Sequence, residues 1–282
     1  MVEQRPLSKF VAHAILVAGI VIVAFPVYLT LIASTHEPAD IVNGTMGLLP
    51  GHMGVTHYFD ALFSGTKQIK STPVLQMMGN SLVMALVIAI GKIAISIISA
   101  YAVVFFRFPF RMFFFWTIFV TLMLPVEVRI YPTYKVVADL GLLNTYAGLT
   151  IPLIASATAT LLFRQFFLTI PDELVEAAQI DGAGPMKFFR DIVLPLSLTN
   201  IAALFVILFI YGWNQYLWPL LITTDSGMDT IVYGIRRMIV TSDANTDWHI
   251  VMATTMLAML PPVFVVVVMQ RLFVKGLVDT EK

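Results

Sequence analysis

Long apolar blocks are the feature that most limits what this sequence can fold into. Six stretches of about 20 residues or more contain at most two charged side chains each, and a helix needs about 20 apolar residues to cross the hydrocarbon of a bilayer. Of the 282 residues, 59% are hydrophobic and 12% are charged, which is about half the charged fraction of a soluble domain. These figures exclude a soluble enzyme, a nucleic-acid-binding protein and a disordered chain. The sequence therefore predicts an all-α integral membrane protein.

The chain is predicted to cross the membrane six times, as a single transmembrane domain over residues 1–282. The first apolar stretch exceeds the apolar core of a signal peptide, which runs to about 7–15 residues, so it is interpreted as a retained span. The outer segment between the first two spans is long enough for short interfacial helices but not for a domain. The predicted spans are residues 10–33, 80–106, 112–131, 145–167, 196–223 and 251–274.

The distribution of lysine and arginine predicts the orientation of the chain. An even number of spans puts both termini on the same side of the membrane. If that side is the cytoplasm, ten of the 17 basic residues lie in cytoplasmic segments and six lie in the longer outer segments. Basic residues are enriched in cytoplasmic loops, so both termini are predicted to be cytoplasmic.

The predicted cytoplasmic loop at residues 168–195 has the signals of two short helices joined by a turn. Pro171 precedes two acidic residues, an arrangement typical of a helix start. Asp181 and Gly182 supply a break, because glycine accepts the positive φ that ends a helix, and Pro185 starts a second helix. The loop is predicted to dock on a protein partner, and the alternative is an amphipathic hairpin resting on lipid headgroups.

The loop contains Glu176-Ala177-Ala178, Gly182, Ile192 and Leu194-Pro195. With these residues it resembles the EAA loop of ABC importer permeases of the carbohydrate-uptake (maltose) class. Further resemblances cover most of the chain, roughly residues 10–277: Ala100-Tyr101-Ala102 with Arg107-Phe108-Pro109, Leu140-Gly141-Leu142-Leu143-Asn144-Thr145, Trp213-Asn214 with Leu217-Trp218-Pro219-Leu220, and Phe273-Val274-Lys275-Gly276-Leu277.

The resemblance implies a type I ABC importer permease fold with cytoplasmic coupling helices, in the bacterial inner membrane. It implies four kinds of partner: a homologous second permease, an ATPase dimer, a periplasmic substrate-binding protein and a small-molecule substrate. ATP and Mg²⁺ would be bound by the ATPase, since this sequence has no GxxxxGK[ST] motif, and the chain is predicted to be a transport subunit rather than an enzyme. Glu176 would pair with a basic residue of the ATPase. The implied coupling residues are Glu176, Ala177, Ala178, Asp181, Gly182, Ile192, Leu194 and Pro195.

Polar residues within or just beyond the spans are candidates for the substrate pathway, because ionisable groups are costly in lipid. Lys92 either faces the translocation cavity or pairs with an acid in the bundle. Arg129 either binds an anionic substrate or reaches a headgroup phosphate or a carboxylate of the sister subunit. The aromatic and amide group around Trp213 contacts substrate or forms a packed seam. The candidates are Lys92, Glu127, Arg129, Tyr134, Trp213, Asn214 and Gln215.

The substrate implied by the resemblance is sn-glycerol-3-phosphate or a glycerophosphodiester, with a neutral sugar as the alternative. An ion-driven secondary transporter would need carboxylates at a site in mid-membrane, and Glu127 is the one acid within a predicted span. A phosphotransferase fits poorly, since the paired aspartates of a lipid-alcohol transferase do not follow Asp181. The chain has no cysteine, and its histidines have no metal-ligand spacing, so no metal site is predicted.

Overall fold

The computed structural model describes residues 6–65, 72–121, 126–239 and 246–279. Within these ranges the chain forms α-helices, short 3₁₀ and π segments and no strand, which confirms the predicted all-α class. The α-helices are α1 Pro6–Ala33, α2 Pro38–Asn43, α3 Gly54–Phe63, α4 Val74–Phe105, α5 Arg111–Val120, α6 Val126–Asp139, α7 Tyr146–Thr150, α8 Ala157–Phe167, α9 Asp172–Ile180, α10 Pro185–Phe188, α11 Leu194–Leu196, α12 Leu198–Trp213, α13 Leu217–Ile222, α14 Ile231–Met238 and α15 Trp248–Asp279.

Three helices of the described part are long and apolar enough to cross a membrane, namely Lys9–Ala33, Val74–Phe105 and Trp248–Gln270. Two bent helix pairs raise the number to as many as five by length and composition. The third predicted span, residues 112–131, includes the short apolar helix α5, but residues 122–125 lie outside the described ranges. The count of six spans therefore stays a prediction.

The fourth predicted span is broken rather than continuous. Its two parts, Tyr146–Leu153 and Ala157–Phe167, meet at an angle of 46°. Pro152 has no N–H, and its ring crowds the carbonyl four residues earlier, so it interrupts the helix. That carbonyl, on Gly148, accepts a hydrogen bond of 3.1 Å from the indole N–H of Trp218 instead. Prediction from apolar length alone missed this break.

The fifth predicted span, residues 196–223, is also interrupted. Helix α12 ends at Trp213 and α13 starts at Leu217. Pro219 explains the gap, because it cannot donate to the carbonyl of Gln215 in the preceding turn. Trp213 is the last residue of α12, and Asn214 and Gln215 lie between the two helices.

The described contacts divide the chain into two compact units. Each unit combines an early segment with a later one. The first comprises Met1–Met77 and Gly234–Leu260, and the second comprises Met78–Tyr233 and Pro261–Lys282.

In the first unit, the predicted outer segment folds against the end of α1. The Thr35 carbonyl accepts a hydrogen bond from the Met53 amide at 3.1 Å, and the Thr35 hydroxyl accepts one from the Gly51 amide at 2.8 Å. The buried ring of His57 lies 4.5 Å from that of His249, centroid to centroid. Helices α2 and α3 are the short helices that the sequence predicted for this segment.

In the second unit, two asparagines fix the loops beside the core. Asn144 has φ 55°, in the left-handed region that asparagine tolerates, and its side-chain oxygen accepts the amides of Thr224 at 2.7 Å and Asp225 at 3.0 Å. Asn80 donates to two backbone carbonyls of the same loop, at 2.9 and 3.0 Å. The buried apolar cluster beneath consists of Met84, Ile88, Val137, Leu149, Trp218 and Ile222.

Candidate functional site

The loop at residues 168–195 forms the predicted pair of helices, called here the hairpin. Its first helix, α9, follows Pro171 and has Asp172 and Glu173 in its first turn, where carboxylates favour the positive end of the helix dipole. Glu176 and Ala177 are exposed on this helix, whereas Ala178 is buried. The residues of the EAA motif therefore divide between the outer and the inner face of α9.

The turn of the hairpin has the hydrogen bonds of a Schellman motif. The Ala183 amide donates to the Ala178 carbonyl at 2.8 Å, and the Gly182 amide donates to the Gln179 carbonyl at 3.0 Å. Gly182 has φ 70°, and no atom lies within 4 Å of the position that a Cβ would take there. Glycine is thus required by the backbone conformation and not by crowding.

The second half of the hairpin joins α12 through a distorted helix. Helix α10 is followed by a π segment, Phe189–Val193, and then by α11. Pro195 accounts for the distortion, because it cannot donate to the carbonyl four residues before it and its ring crowds that carbonyl. The stretch Pro185–Leu196 meets α12 at an angle of 69°, so the hairpin enters the helix through a bend.

The exposed surface of the hairpin combines apolar and acidic groups. Ile180 is 86% exposed and Met186 is 76% exposed, on either side of the turn. Arg190 donates to Asp191 at 2.8 Å, and this hydrogen bond, together with the guanidinium charge, holds the pKa of the Asp191 carboxyl below its ordinary value. That pair largely neutralises itself, and further carboxylates remain exposed near the apolar tip, namely Asp172, Glu173, Glu176 and Asp181. Such a surface fits a partner with an apolar cleft and a cation.

The remaining predicted coupling residues lie on both sides of the hairpin. Asp181 ends α9 and is exposed. Ile192 and Leu194 are half-buried, and Leu194 lines an apolar groove together with residues of α4 and α12. Pro195 is exposed.

The structure brings three of the predicted pathway residues into one cluster in the second unit. Lys92, on α4, is only 8% exposed, and its ammonium lies 3.8 Å from the centroid of the Tyr211 ring on α12. The cation over the ring face is a cation–π contact. The Gln215 amide donates to the Tyr211 carbonyl at 3.1 Å. Arg129, on α6, is near enough for its charge to act on both Lys92 and Tyr211. Lys92, Arg129, Tyr211 and Gln215 are called the cation cluster.

The cation cluster holds two positive charges without a carboxylate among the side chains that the structure describes. The ion pairs found in that part of the chain involve neither Lys92 nor Arg129. Among those side chains Lys92 has no acidic partner, so the alternative that it pairs with an acid in the bundle has no support there. The side chain of Glu127 lies outside the described residues. Lys92 is buried and Arg129 is exposed, and two cations near one another attract an anion.

The other pathway candidates lie outside the cluster or in the packed interior. Trp213 is 2% exposed and stacks on Phe209 at 6.0 Å, which favours the packed-seam alternative. Asn214 is exposed at the end of α12, and Tyr134 is half-buried against the apolar cluster. Sequence reasoning did not select Tyr211, although a continuous helix over the predicted span would have placed it on the same face as Gln215, four residues later.

Comparisons with known proteins agree with this architecture. The family described as binding-protein-dependent transport system inner membrane component matches residues 92–279. The chain is similar to proteins named sn-glycerol-3-phosphate transport system permease protein UgpE, with 62% identity for Brucella melitensis, 64% for Agrobacterium fabrum and 55% for Escherichia coli. Each alignment covers 100% of both chains.

A solved structure shares the fold. It is described as a bacterial ABC transporter involved in the import of the acidic polysaccharide alginate, and the match has a TM-score of 0.80 at 20% identity, covering 96% of this chain and 98% of the other. This likeness confirms the predicted permease fold. The named relatives are transport-system permeases, so the chain is a transport subunit and not an enzyme. The chain belongs to the family of inner membrane components of binding-protein-dependent transport systems.

Proposed function

We propose that this chain is a permease subunit of an ATP-driven importer that moves sn-glycerol-3-phosphate, or a glycerophosphodiester, into the cytoplasm. The observation that carries the proposal is the identity of 55–64% over the full length to permeases named for sn-glycerol-3-phosphate. The working complex contains a homologous second permease, two ATPase subunits and a periplasmic binding protein. The ATPase subunits hold ATP and Mg²⁺, and this chain binds no cofactor.

The hairpin is the contact with the ATPase in this proposal. Its exposed apolar tip and the exposed carboxylate of Glu176 support docking into a cleft that has a basic residue. A stiff pair of helices with a fixed turn transmits force where an irregular loop would yield. Closure of the ATPase dimer moves the hairpin, and Leu194 and Pro195 pass the movement into α12. The permease pair then alternates between outward-facing and inward-facing states, with both termini of this chain in the cytoplasm.

The cation cluster supports an anionic substrate. A phosphate ester carries its charge on oxygens that accept hydrogen bonds from an ammonium or a guanidinium. Lys92 and Arg129 come from different helices, so a phosphate between them would bridge α4 and α6. Gln215 adds an amide and no negative charge, which avoids repulsion of the substrate. A neutral sugar would leave both cations without a counter-charge, and for that reason it is the less favoured substrate.

Co-purification with the ATPase tests the proposed coupling. Tagged wild-type chain, Glu176→Arg and the control Asp139→Arg are expressed together with the second permease and the ATPase. The control makes the same charge change at an exposed carboxylate on the predicted outer side. We expect Glu176→Arg to lose the ATPase and keep the second permease, while Asp139→Arg keeps both. Retention of the ATPase by Glu176→Arg at the wild-type level would refute the assigned role of Glu176.

A further inference from the structure

Tyr101, at the cytoplasmic end of α4 in the predicted topology, holds the second half of the hairpin. Its hydroxyl donates to the backbone carbonyl of Pro185, the first residue of α10, at 2.7 Å. Tyr101 is 8% exposed, so this hydrogen bond is largely shielded from water. Water competes little for the groups of a shielded hydrogen bond, so this bond fixes the distance between the two helices.

Aromatic rings surround this hydrogen bond. The Tyr101 ring lies 4.9 Å from Phe189 and 5.2 Å from Phe105, measured between centroids. Phe105 in turn packs edge-on against Phe188 at 5.3 Å. Rings at these distances and tilts attract one another beyond the effect of burial alone. The end of α4 and the start of the second hairpin helix therefore share one packed aromatic contact.

A cavity lies between the first helix of the hairpin and the chain at the end of α4. Its volume is about 260 Å³, and it is lined by Tyr101, Arg107 and Phe106 on one side and by Val175, Ala178 and Gln179 on the other. Pro185 and Phe188 of α10 also line this cavity, and the Tyr101 hydroxyl donates to Pro185 at its edge. Tyr101→Phe would remove the hydrogen bond to Pro185 and keep the aromatic ring, so it isolates the contribution of the hydroxyl.

We propose that Tyr101 is a positioning residue that transmits movement of the hairpin directly to α4. The proposal rests on the proposed function, in which the hairpin follows the ATPase. The covalent route into α12 passes through the π segment and the bend of 69°, whereas the Tyr101 contact joins the hairpin to α4 without an intervening loop. Lys92 lies nine residues before Tyr101 on the same helix, about 14 Å along its axis. The contact thus links the ATPase-facing hairpin to the helix that carries a cation of the proposed substrate site.

Transport per ATP hydrolysed measures this role. The complete complex, with the second permease, the ATPase and the binding protein, is reconstituted in liposomes with wild-type chain, Tyr101→Phe or Tyr28→Phe. Tyr28→Phe is the matched control, since its hydroxyl also donates to a backbone carbonyl, that of Leu48, at 2.5 Å. We expect Tyr101→Phe to retain the ATPase subunits and the basal ATPase rate, but to import about five-fold less sn-glycerol-3-phosphate per ATP, the factor expected for the loss of one net hydrogen bond. Tyr28→Phe should match the wild type.

A distance measurement separates a positioning role from general loss of structure. The chain has no cysteine, so the pair Ile98→Cys and Ile180→Cys takes spin labels without background from this chain. Both side chains are exposed, by 60% and 86%. In the wild-type background the distance between the labels on α4 and α9 should have one narrow distribution with and without ATP. In Tyr101→Phe we expect a broader distribution that changes with ATP.

The outcomes distinguish the two levels of the proposal. If Tyr101→Phe imports as much substrate per ATP as Tyr28→Phe and keeps the narrow distance distribution, Tyr101 has no positioning role, although the proposed function stands. If the wild-type chain retains no ATPase subunit, the proposed function itself is overturned. Reduced transport per ATP together with a broadened distance supports the role of Tyr101.

Discussion

Substitution of Gly182 by alanine isolates the geometry of the hairpin turn. Gly182 has φ 70°, and an added methyl group would meet no atom within 4 Å. The cost of Gly182→Ala is therefore conformational, and a non-glycine residue in the left-handed region costs about 1–2 kcal/mol. If the turn relaxes to avoid this cost, the population of the docking-competent hairpin falls by a factor of about 5–30.

Gly184 provides the matched control for this prediction. It lies two residues further on, also has no atom within 4 Å of its would-be Cβ, and has φ −69° and ψ 165°, which any residue adopts. We expect Gly184→Ala to change the affinity for the ATPase little. Gly182→Asn should recover part of the loss, because asparagine tolerates the left-handed conformation better than alanine.

The assay is titration of purified ATPase onto the permease pair in nanodiscs, with binding measured by a fluorescent label on the ATPase. The prediction is a dissociation constant raised about 5–30-fold by Gly182→Ala, in line with the conformational cost, and nearly unchanged by Gly184→Ala. Equal effects of the two substitutions would refute the reasoning, since only one of the positions requires a left-handed backbone.

Three further predictions concern packing, the loops and the cation cluster. Gly212→Ala places a methyl group 2.8 Å from the Cα of Ala85 and should destabilise the chain by about 1–3 kcal/mol, whereas Gly79→Ala, with free space around it, should not. Thermal unfolding in detergent compares the two variants, and equal melting temperatures would contradict the packing. Asn144→Ala should destabilise the chain by about 2 kcal/mol through lost hydrogen bonds. Asn144→Gly should recover only the part of the stability that alanine loses to backbone strain at this position. Full recovery by glycine in the same assay would contradict the role of the side chain. Lys92→Gln should lower sn-glycerol-3-phosphate uptake by about 10-fold or more, as for loss of a charged hydrogen bond. Lys92→Arg should keep most of the uptake. Uptake by Lys92→Gln at the wild-type rate would exclude Lys92 from the substrate site.

The hairpin was predictable from sequence because its signals are local. Pro171 and Pro185 start helices and Gly182 ends one, and each acts on the few residues around it. The structure has the helix starts and the turn at the predicted positions. The π segment before Pro195 was not anticipated, although the proline that explains it is visible in the sequence. A local rule predicted that the helix would be disturbed there, but not how its hydrogen bonds would rearrange.

Span continuity and the cation cluster show where prediction stops. A count of apolar residues measures whether a segment can lie in lipid, and it ignores Pro152 and Pro219, which break the fourth and fifth spans. The contact of Lys92 with Tyr211 joins residues far apart in the chain. Such a contact depends on how α4 packs against α12, and no local pattern encodes it. The close approach of Gly212 to Ala85 contributes to that packing and becomes evident only in three dimensions.

Uptake by the reconstituted complex tests the central claim most directly. Liposomes that contain this chain, the second permease and the ATPase are given ATP on the ATPase side, and labelled substrate with the binding protein on the other. The account predicts ATP-dependent uptake of sn-glycerol-3-phosphate, abolished in the Glu176→Arg complex, and no comparable uptake of a neutral sugar such as maltose. Uptake of the neutral sugar alone, or uptake of sn-glycerol-3-phosphate driven by an ion gradient without ATP, would contradict it.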